Sequence, residues 1–193
     1  MNLFKLSMLI IILSTIINCK DNCNLNKEVR LKNDSIISKY KIELRDYVKI
    51  FDEDDLRNNN YEAYRVFIDG SFGTTIIYKV TKVQDSYMLI IKKHIEANSF
   101  EPNSKDSLEL IIKKNISKKE WNSIVDYANE INYWSLPVKG KIKFVKDGTI
   151  WVFEGKLLTP NKCTKRSYHI VSRLSPNDST KFKKLCKKIL DLK

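Results

Sequence analysis

Between Glu62 and Asn115 the chain passes through four consecutive runs with strand-like alternation, and these limit its fold more than any other feature. They are Glu62–Asp69, Thr74–Val83, Ser86–Ile95 and Ser107–Asn115. In the second, Ile76, Tyr78 and Val80 alternate with Ile77, Lys79 and Thr81; in the fourth, Leu108, Leu110 and Ile112 share a side. Successive side chains of a strand point to opposite faces, so this period marks strands rather than helices. Gly70-Ser71-Phe72-Gly73 and Gln84-Asp85-Ser86 are too short for crossovers and suit hairpins, which makes the pairing antiparallel.

Helices flank these strands. Ile37, Tyr40, Leu44, Tyr47, Val48 and Phe51 fall at helical spacing and predict a helix over Ser35–Phe51. Asp52-Glu53-Asp54-Asp55 ends it. A calcium loop of EF-hand type needs an oxygen ligand at position five and Gly at six, where this chain has Leu56 and Arg57, so the acidic run reads as a solvated loop. Ser117-Lys118-Lys119-Glu120 fits a capping box, with Ile116 and Trp121 as its hydrophobic staple. The helix that follows offers Trp121, Ile124, Val125 and Ala128 to the core and ends near Ile131. Lys146-Asp147-Gly148 reads as a turn between strands Lys141–Val145 and Thr149–Leu157, and a last strand spans Arg166–Leu174. Ser175 and Pro176 then read as cap and first residue of a final helix, with Asp178 in its first turn. Phe182, Leu185, Ile189 and Leu190 form its apolar side, and Lys181, Lys183, Lys184, Lys187 and Lys188 lie largely elsewhere. The expected class is α+β: an antiparallel sheet with helices on one face, in the order α-β-β-β-β-α-β-β-β-α.

The amino terminus carries an address rather than a fold. Met1–Lys5 holds one positive charge, and Leu6–Ile17 is nearly all apolar. That run has the length of a signal-peptide core and falls short of the roughly 20 residues a bilayer span needs. It closes on Ile16-Ile17-Asn18-Cys19, which resembles the lipobox of bacterial lipoproteins; Asn18 stands where that family usually has Gly, Ala or Ser. The resemblance implies cleavage before Cys19 and acylation of Cys19, with palmitate among the attached chains. Two or more acyl chains anchor stably where a single one is marginal. Lys20 after the Cys, in place of an Asp that resembles an inner-membrane retention signal, favours the outer membrane, in its periplasmic or surface-exposed leaflet. The expected organisation is a removed signal peptide at 1–18, a lipidated Cys and polar tether at 19–34, and one globular domain at 35–193.

The net charge is +12, and Lys5 is the only charged residue before Cys19, so the mature chain keeps +11. A basic protein favours anionic partners, here envelope glycans or lipids, or an envelope protein. The Lys residues are spread over nearly every element and read as a solvated surface; without a basic stripe or known motif, no nucleic-acid partner is expected.

Tyr133-Trp134-Ser135-Leu136-Pro137, Asp147-Gly148, Trp151, Glu154-Gly155, Tyr168-His169 and Arg173 with Ser175-Pro176 resemble the spaced pattern of a group of small bacterial secreted or lipoprotein domains. The resemblance covers the carboxy-terminal half and implies a fold but no activity. Candidate chemistry is sparse. His94 reads as a solvated strand end and His169 as a structural or surface His, with no nucleophile-elbow sequence to serve. Motifs for zinc, thiol-redox or nucleotide chemistry are missing, so no metal or cofactor is expected. Glu120, Asp147 and Glu154 are the candidates for a glycosidase-type carboxylate pair, each with a structural reading as cap, turn or ion pair. Trp121, Trp134 and Trp151 read as core. Beyond Cys19 remain Cys23, Cys163 and Cys186, and a Cys163–Cys186 disulfide is a possible pairing, worth about 3 kcal/mol. The expected role is a non-enzymatic, membrane-anchored accessory or binding module. Two alternatives stand beside it: an envelope hydrolase acting on glycans, marked by paired carboxylates in a pocket, and an inhibitor or immunity-type protein, marked by an exposed patch.

Overall fold

A computed structural model describes residues 33–37, 47–70, 73–97, 100–101, 103–140, 148–162 and 164–193. The alternating runs form the strands β1 (Glu62–Asp69), β2 (Thr74–Val83), β3 (Ser86–Ile95) and β4 (Ser107–Asn115), with the bounds the alternation predicts. Two more strands, β5 (Ile150–Lys156) and β6 (Tyr168–Leu174), complete a six-stranded sheet in the order β4-β3-β2-β1-β5-β6. All of its ladders are antiparallel. Helix α1 (Lys118–Glu130) carries the chain from the β4 edge back across the sheet, and α2 (Lys181–Leu190) follows β6. The protein is therefore α+β. The strand expected at Lys141–Val145 and its turn lie outside the described residues.

The first face of the sheet is closed by α1 and α2. Tyr64, Val66, Tyr78, Val80, Leu89, Phe153 and Val171 from the strands form one buried cluster with Trp121, Ile124 and Ala128 of α1 and Phe182, Leu185, Cys186 and Ile189 of α2. The basic amphipathic α2 thus packs on the sheet. Gly155 belongs to this face for a steric reason: a Cβ there would sit 2.9 Å from the ring of Tyr133 and 3.1 Å from those of Trp134 and Tyr64. All three expected core tryptophans are buried.

The start of α1 is the predicted capping box. Ser117 Oγ accepts from the Glu120 N–H at 3.2 Å, and Glu120 Oε2 accepts from the Ser117 N–H at 2.6 Å. Helix α2 departs from its expected start. Its N-cap is Thr180, which accepts from the Lys183 N–H at 3.2 Å, and not Ser175. Asn177 accounts for the delay, because its side-chain oxygen accepts from the Ser179 N–H and its carbonyl from the Thr180 N–H, a local turn that competes with helix. Ser175, at φ 39°, instead exchanges two hydrogen bonds with Thr149 and ties β6 to the start of β5.

The second face is covered differently. Residues 33–37 and 47–50 are helical, and Ile36, Ile37, Tyr47 and Phe51 pack with Phe67, Ile77, Val138, Val152 and Ile170. The middle of the expected Ser35–Phe51 helix, residues 38–46, lies outside the described residues. Asn33 pins the start of this segment: its amide donates to the Leu136 carbonyl at 3.1 Å and accepts from the Val138 N–H at 3.3 Å. The acidic run is solvated only in part: Asp52 and Asp54 are exposed, whereas Glu53 is not. It folds down as a strap in which Leu56 is fully buried and the Glu53 side chain is 2% exposed.

Candidate functional site

The register of β1, β2 and β5 places Glu154, Arg65 and Lys79 in one row across three strands on the second face. Arg65 is completely buried and Lys79 nearly so. Like charges directly opposite each other destabilise a sheet, so the Arg65–Lys79 pair calls for carboxylates. Glu154 supplies one, its Oε2 accepting from Arg65 Nε at 2.7 Å. Glu53, reaching down from the strap, supplies the other. It pairs with Lys79 and, at 2.8 Å, with Lys92 of β3, and lies 3.7 Å from Arg65 Nη1.

The strap's backbone is drawn into the same network. Arg65 Nη1 donates to the Asp54 carbonyl at 2.9 Å, and Lys92 donates to the carbonyls of Phe51 and Asp52. Tyr168 donates to Glu154 Oε1 at 2.6 Å, which occupies the second oxygen of that carboxylate. Beside the cluster, Asp55 caps the short 3-10 turn Leu56–Asn58 and grips Arg57, whose guanidinium lies 5.8 Å from the Tyr168 ring centre. Burial alone would raise the Glu53 carboxyl, but the hydrogen bonds and charges of Lys79 and Lys92 outweigh it and hold its pKa below the usual carboxylate value. Burial would likewise lower the Arg65 guanidinium; Glu154 overcomes that and raises it. Arg65 Nη2, buried with the rest of the side chain, has no hydrogen-bond partner among the described residues.

Sequence reasoning places none of Arg65, Lys79, Lys92 and Glu53 in a site. One signal was present: Arg65 and Lys79 interrupt otherwise apolar central strands. Of the carboxylate candidates, Glu154 is in the cluster, whereas Glu120 is the α1 cap at the opposite side of the fold; its pKa is lowered by the Ser117 backbone hydrogen bond. Asp147 lies outside the described residues. Glu120 and Glu154 are therefore not brought together as an acid–base pair.

The two histidines are both buried. His94 is 6% exposed, its ring against Phe51 at 6.1 Å, because the strap covers the strand end that the flanking lysines suggested was solvated. His169 is fully buried on the first face. Its Nε2 donates to the Leu136 carbonyl at 2.9 Å, and Tyr133 Oη lies 2.7 Å from the His169 carbonyl. Burial drives its pKa down to about 3 against the opposing effect of the Leu136 hydrogen bond, so it stays neutral at ordinary pH. Cys186 is a free thiol buried in the same core, and burial pushes its pKa up. Its expected partner Cys163, like Cys19 and Cys23, lies outside the described residues.

The helix side carries an open groove of about 630 Å³ between α1 and α2, lined by Lys118, Lys119, Ser123, Tyr127 and Lys188 together with Asp126 and Glu130. Lys188 bridges it by donating to Ser123 Oγ at 3.0 Å. Among the described residues there is no group of three His, Cys, Asp or Glu suited to a metal ion, and no helix is long and apolar enough to cross a membrane. Compared with protein families, with curated proteins and with solved structures, the chain matches none.

Proposed function

We propose that this chain is an envelope lipoprotein, cleaved before Cys19, acylated there and held at the outer membrane as a binding module without turnover of its own. The observation that carries this reading is the position of Asn33. The fold is pinned at that residue, so about 14 residues separate the resembling lipobox Cys from the first side chain anchored among the described residues. Fully extended, such a length reaches at most about 50 Å. A linker of that length has a reach on the scale of a bilayer's thickness, and such a reach would keep the domain at high local concentration beside the membrane.

The partner this arrangement suits is anionic: envelope glycans or lipid head groups. The buried side of α2 leaves Lys181, Lys184 and Lys188 exposed, and Lys188 shares the groove with Lys118 and Lys119 of α1. Exposed charges of this kind attract weakly and are screened within about 8–10 Å at physiological ionic strength. Two measurements test the reading. Replacing Cys19 by Ala should abolish fatty-acid labelling and release the protein; a labelled variant refutes the anchor. Binding of the Cys19→Ala chain to anionic vesicles or glycans should weaken steeply with salt.

One feature favours the second reading, an inhibitor or immunity-type protein. The free edge β4 exposes Leu108, Leu110 and Ile111. The irregularity in its pairing with β3, near Ile91 and Lys92, and the flanking Lys113 and Lys114 guard that edge against indiscriminate pairing. Tight binding of an envelope protein that ignores salt would move the assignment there.

A further inference from the structure

We propose that Arg65, Lys79 and Lys92 form an oxyanion-binding socket on the second face of the sheet, which Glu53 fills as an internal plug that an external phosphate group can replace. The socket is a different site from the exposed lysines of the helix side, and it does not depend on the lipid anchor.

Three observations converge. The first is charge. Among the described residues three cations face two carboxylates, Glu53 and Glu154, which leaves one positive charge in excess in a cluster that is largely buried. The neighbouring acids among the described residues do not make up the difference. Asp55 is engaged by Arg57, Glu62 by Lys82 at 2.9 Å, and the Asp54 carboxylate points to Tyr61 at 3.5 Å. Buried ionic clusters are a poor source of stability compared with apolar packing of the same volume, so their placement on central strands fits a binding role better than a scaffolding one.

The second is an open donor. Arg65 Nη2 is buried and unpartnered among the described residues, while Nε and Nη1 are both engaged. A guanidinium presents paired donors that match a carboxylate or phosphate, and here half of that fork is unused.

The third is the nature of the plug. Glu53 does not belong to the sheet. It sits on the strap after residues 47–50, held by short-range amide bonds (Phe51 N–H to Tyr47 O, Asp52 N–H to Lys49 O and Glu53 N–H to Val48 O), by the Arg65 and Lys92 donors to its carbonyls, and by the buried Phe51 and Leu56 at its ends. Asp52 takes the left-handed region at φ 47°, which Asp adopts more readily than most residues with a side chain, and turns the chain from residues 47–50 into the strap. The sheet residues of the socket hold their places through the β1, β2 and β3 ladders whether or not the strap is down. With Glu53 withdrawn, the three cations face Glu154 alone. That excess of two charges matches a phosphate group, which carries about −1.5 to −2 at neutral pH.

The test uses the Glu53→Gln chain, which keeps the side-chain shape and removes the charge. Inorganic phosphate, against chloride at matched ionic strength, should raise its melting temperature saturably and bind at least tenfold tighter than to the wild type, where the plug competes. Adding Lys79→Met to Glu53→Gln should remove that gain. Should Glu53→Gln not fold, amide exchange of the wild type decides: phosphate should speed exchange at Phe51, Asp52 and Glu53 and leave β1 and β2 protected. Vesicles with and without phosphatidic acid separate the sources. A response to inorganic phosphate assigns a soluble ligand, and a response to phosphatidic acid alone assigns a lipid head group. No saturable response to either probe, or a response that survives Lys79→Met, overturns the proposal.

Discussion

On the first face of the sheet Trp121, Tyr133 and Trp134 close over Tyr64, Phe153 and Gly155, with ring centres 5.0–6.4 Å apart; on the second, Phe51, Phe67 and Ile170 share their layer with Arg65, Glu154, Glu53, Lys79 and Lys92. Both layers are largely buried, yet they depend on different things. Packing on the first face depends on volume, and Gly155 shows how little is to spare. The second face depends on charge balance between residues far apart in sequence, and one of its carboxylates comes from a strap outside the sheet. A face of the first kind tolerates no deletion, whereas one of the second kind tolerates joint deletions better than single ones.

The largest effects test that contrast. Trp121→Ala should cost about 3–5 kcal/mol in urea unfolding, through lost burial and the cavity left behind. Arg65→Met should cost a similar amount, about 3–5 kcal/mol, because it strands Glu154 in a buried layer. The difference lies in rescue. Adding Glu154→Leu to Arg65→Met should return most of the loss, as pairs of buried charges replaced together are often near neutral. A double variant no more stable than the single one would break the comparison.

The pH dependence gives a smaller and graded effect. His169 has its folded-state pKa pushed down to about 3 from 6.5, so below pH 6.5 the unfolded chain takes up a proton that the folded chain refuses. Stability should therefore be full above pH 6.5 and fall by up to about 1.4 kcal/mol per pH unit on acidification. Glu53 acts in the same direction at lower pH: its depressed pKa contributes stability above the ordinary carboxylate value of 4.5, lost as pH falls through its folded value. His169→Asn should flatten the limb between pH 6.5 and 4.5 in pH-dependent urea melts and leave the steeper acid limb in place. The smallest effect is local. Ser117→Ala should cost about 1 kcal/mol by removing the N-cap oxygen of α1, with no change in phosphate response.

How much of this was legible follows the same division. The bounds of β1 to β4 and the start of α1 are written in short-range signals, alternation in Ile76–Thr81 and the box Ser117–Glu120. Ser175 misled because a cap and a proline fit the rule, while the helix waits for the Asn177 turn to end. The ionic cluster was out of reach for another reason. Arg65 and Glu154 are 89 residues apart and Lys79 and Glu53 are 26 apart, so only the strand register and the folded-down strap bring them together. Once Glu53 is drawn to two lysines, one member of an acidic run that reads as solvent-facing becomes a buried contact, and His94 is covered with it.

In the proposed plug arrangement the strap opens as a unit of its own over a sheet whose first face stays closed. Native-state hydrogen exchange in low denaturant tests this most directly, since local openings differ from global unfolding in both free energy and denaturant dependence. The amides of Phe51, Asp52 and Glu53 should exchange through an opening of lower free energy, nearly independent of denaturant, while those of β1 and α1 should exchange only with global unfolding. Equal opening free energies and equal denaturant slopes for the strap and β1 would contradict it.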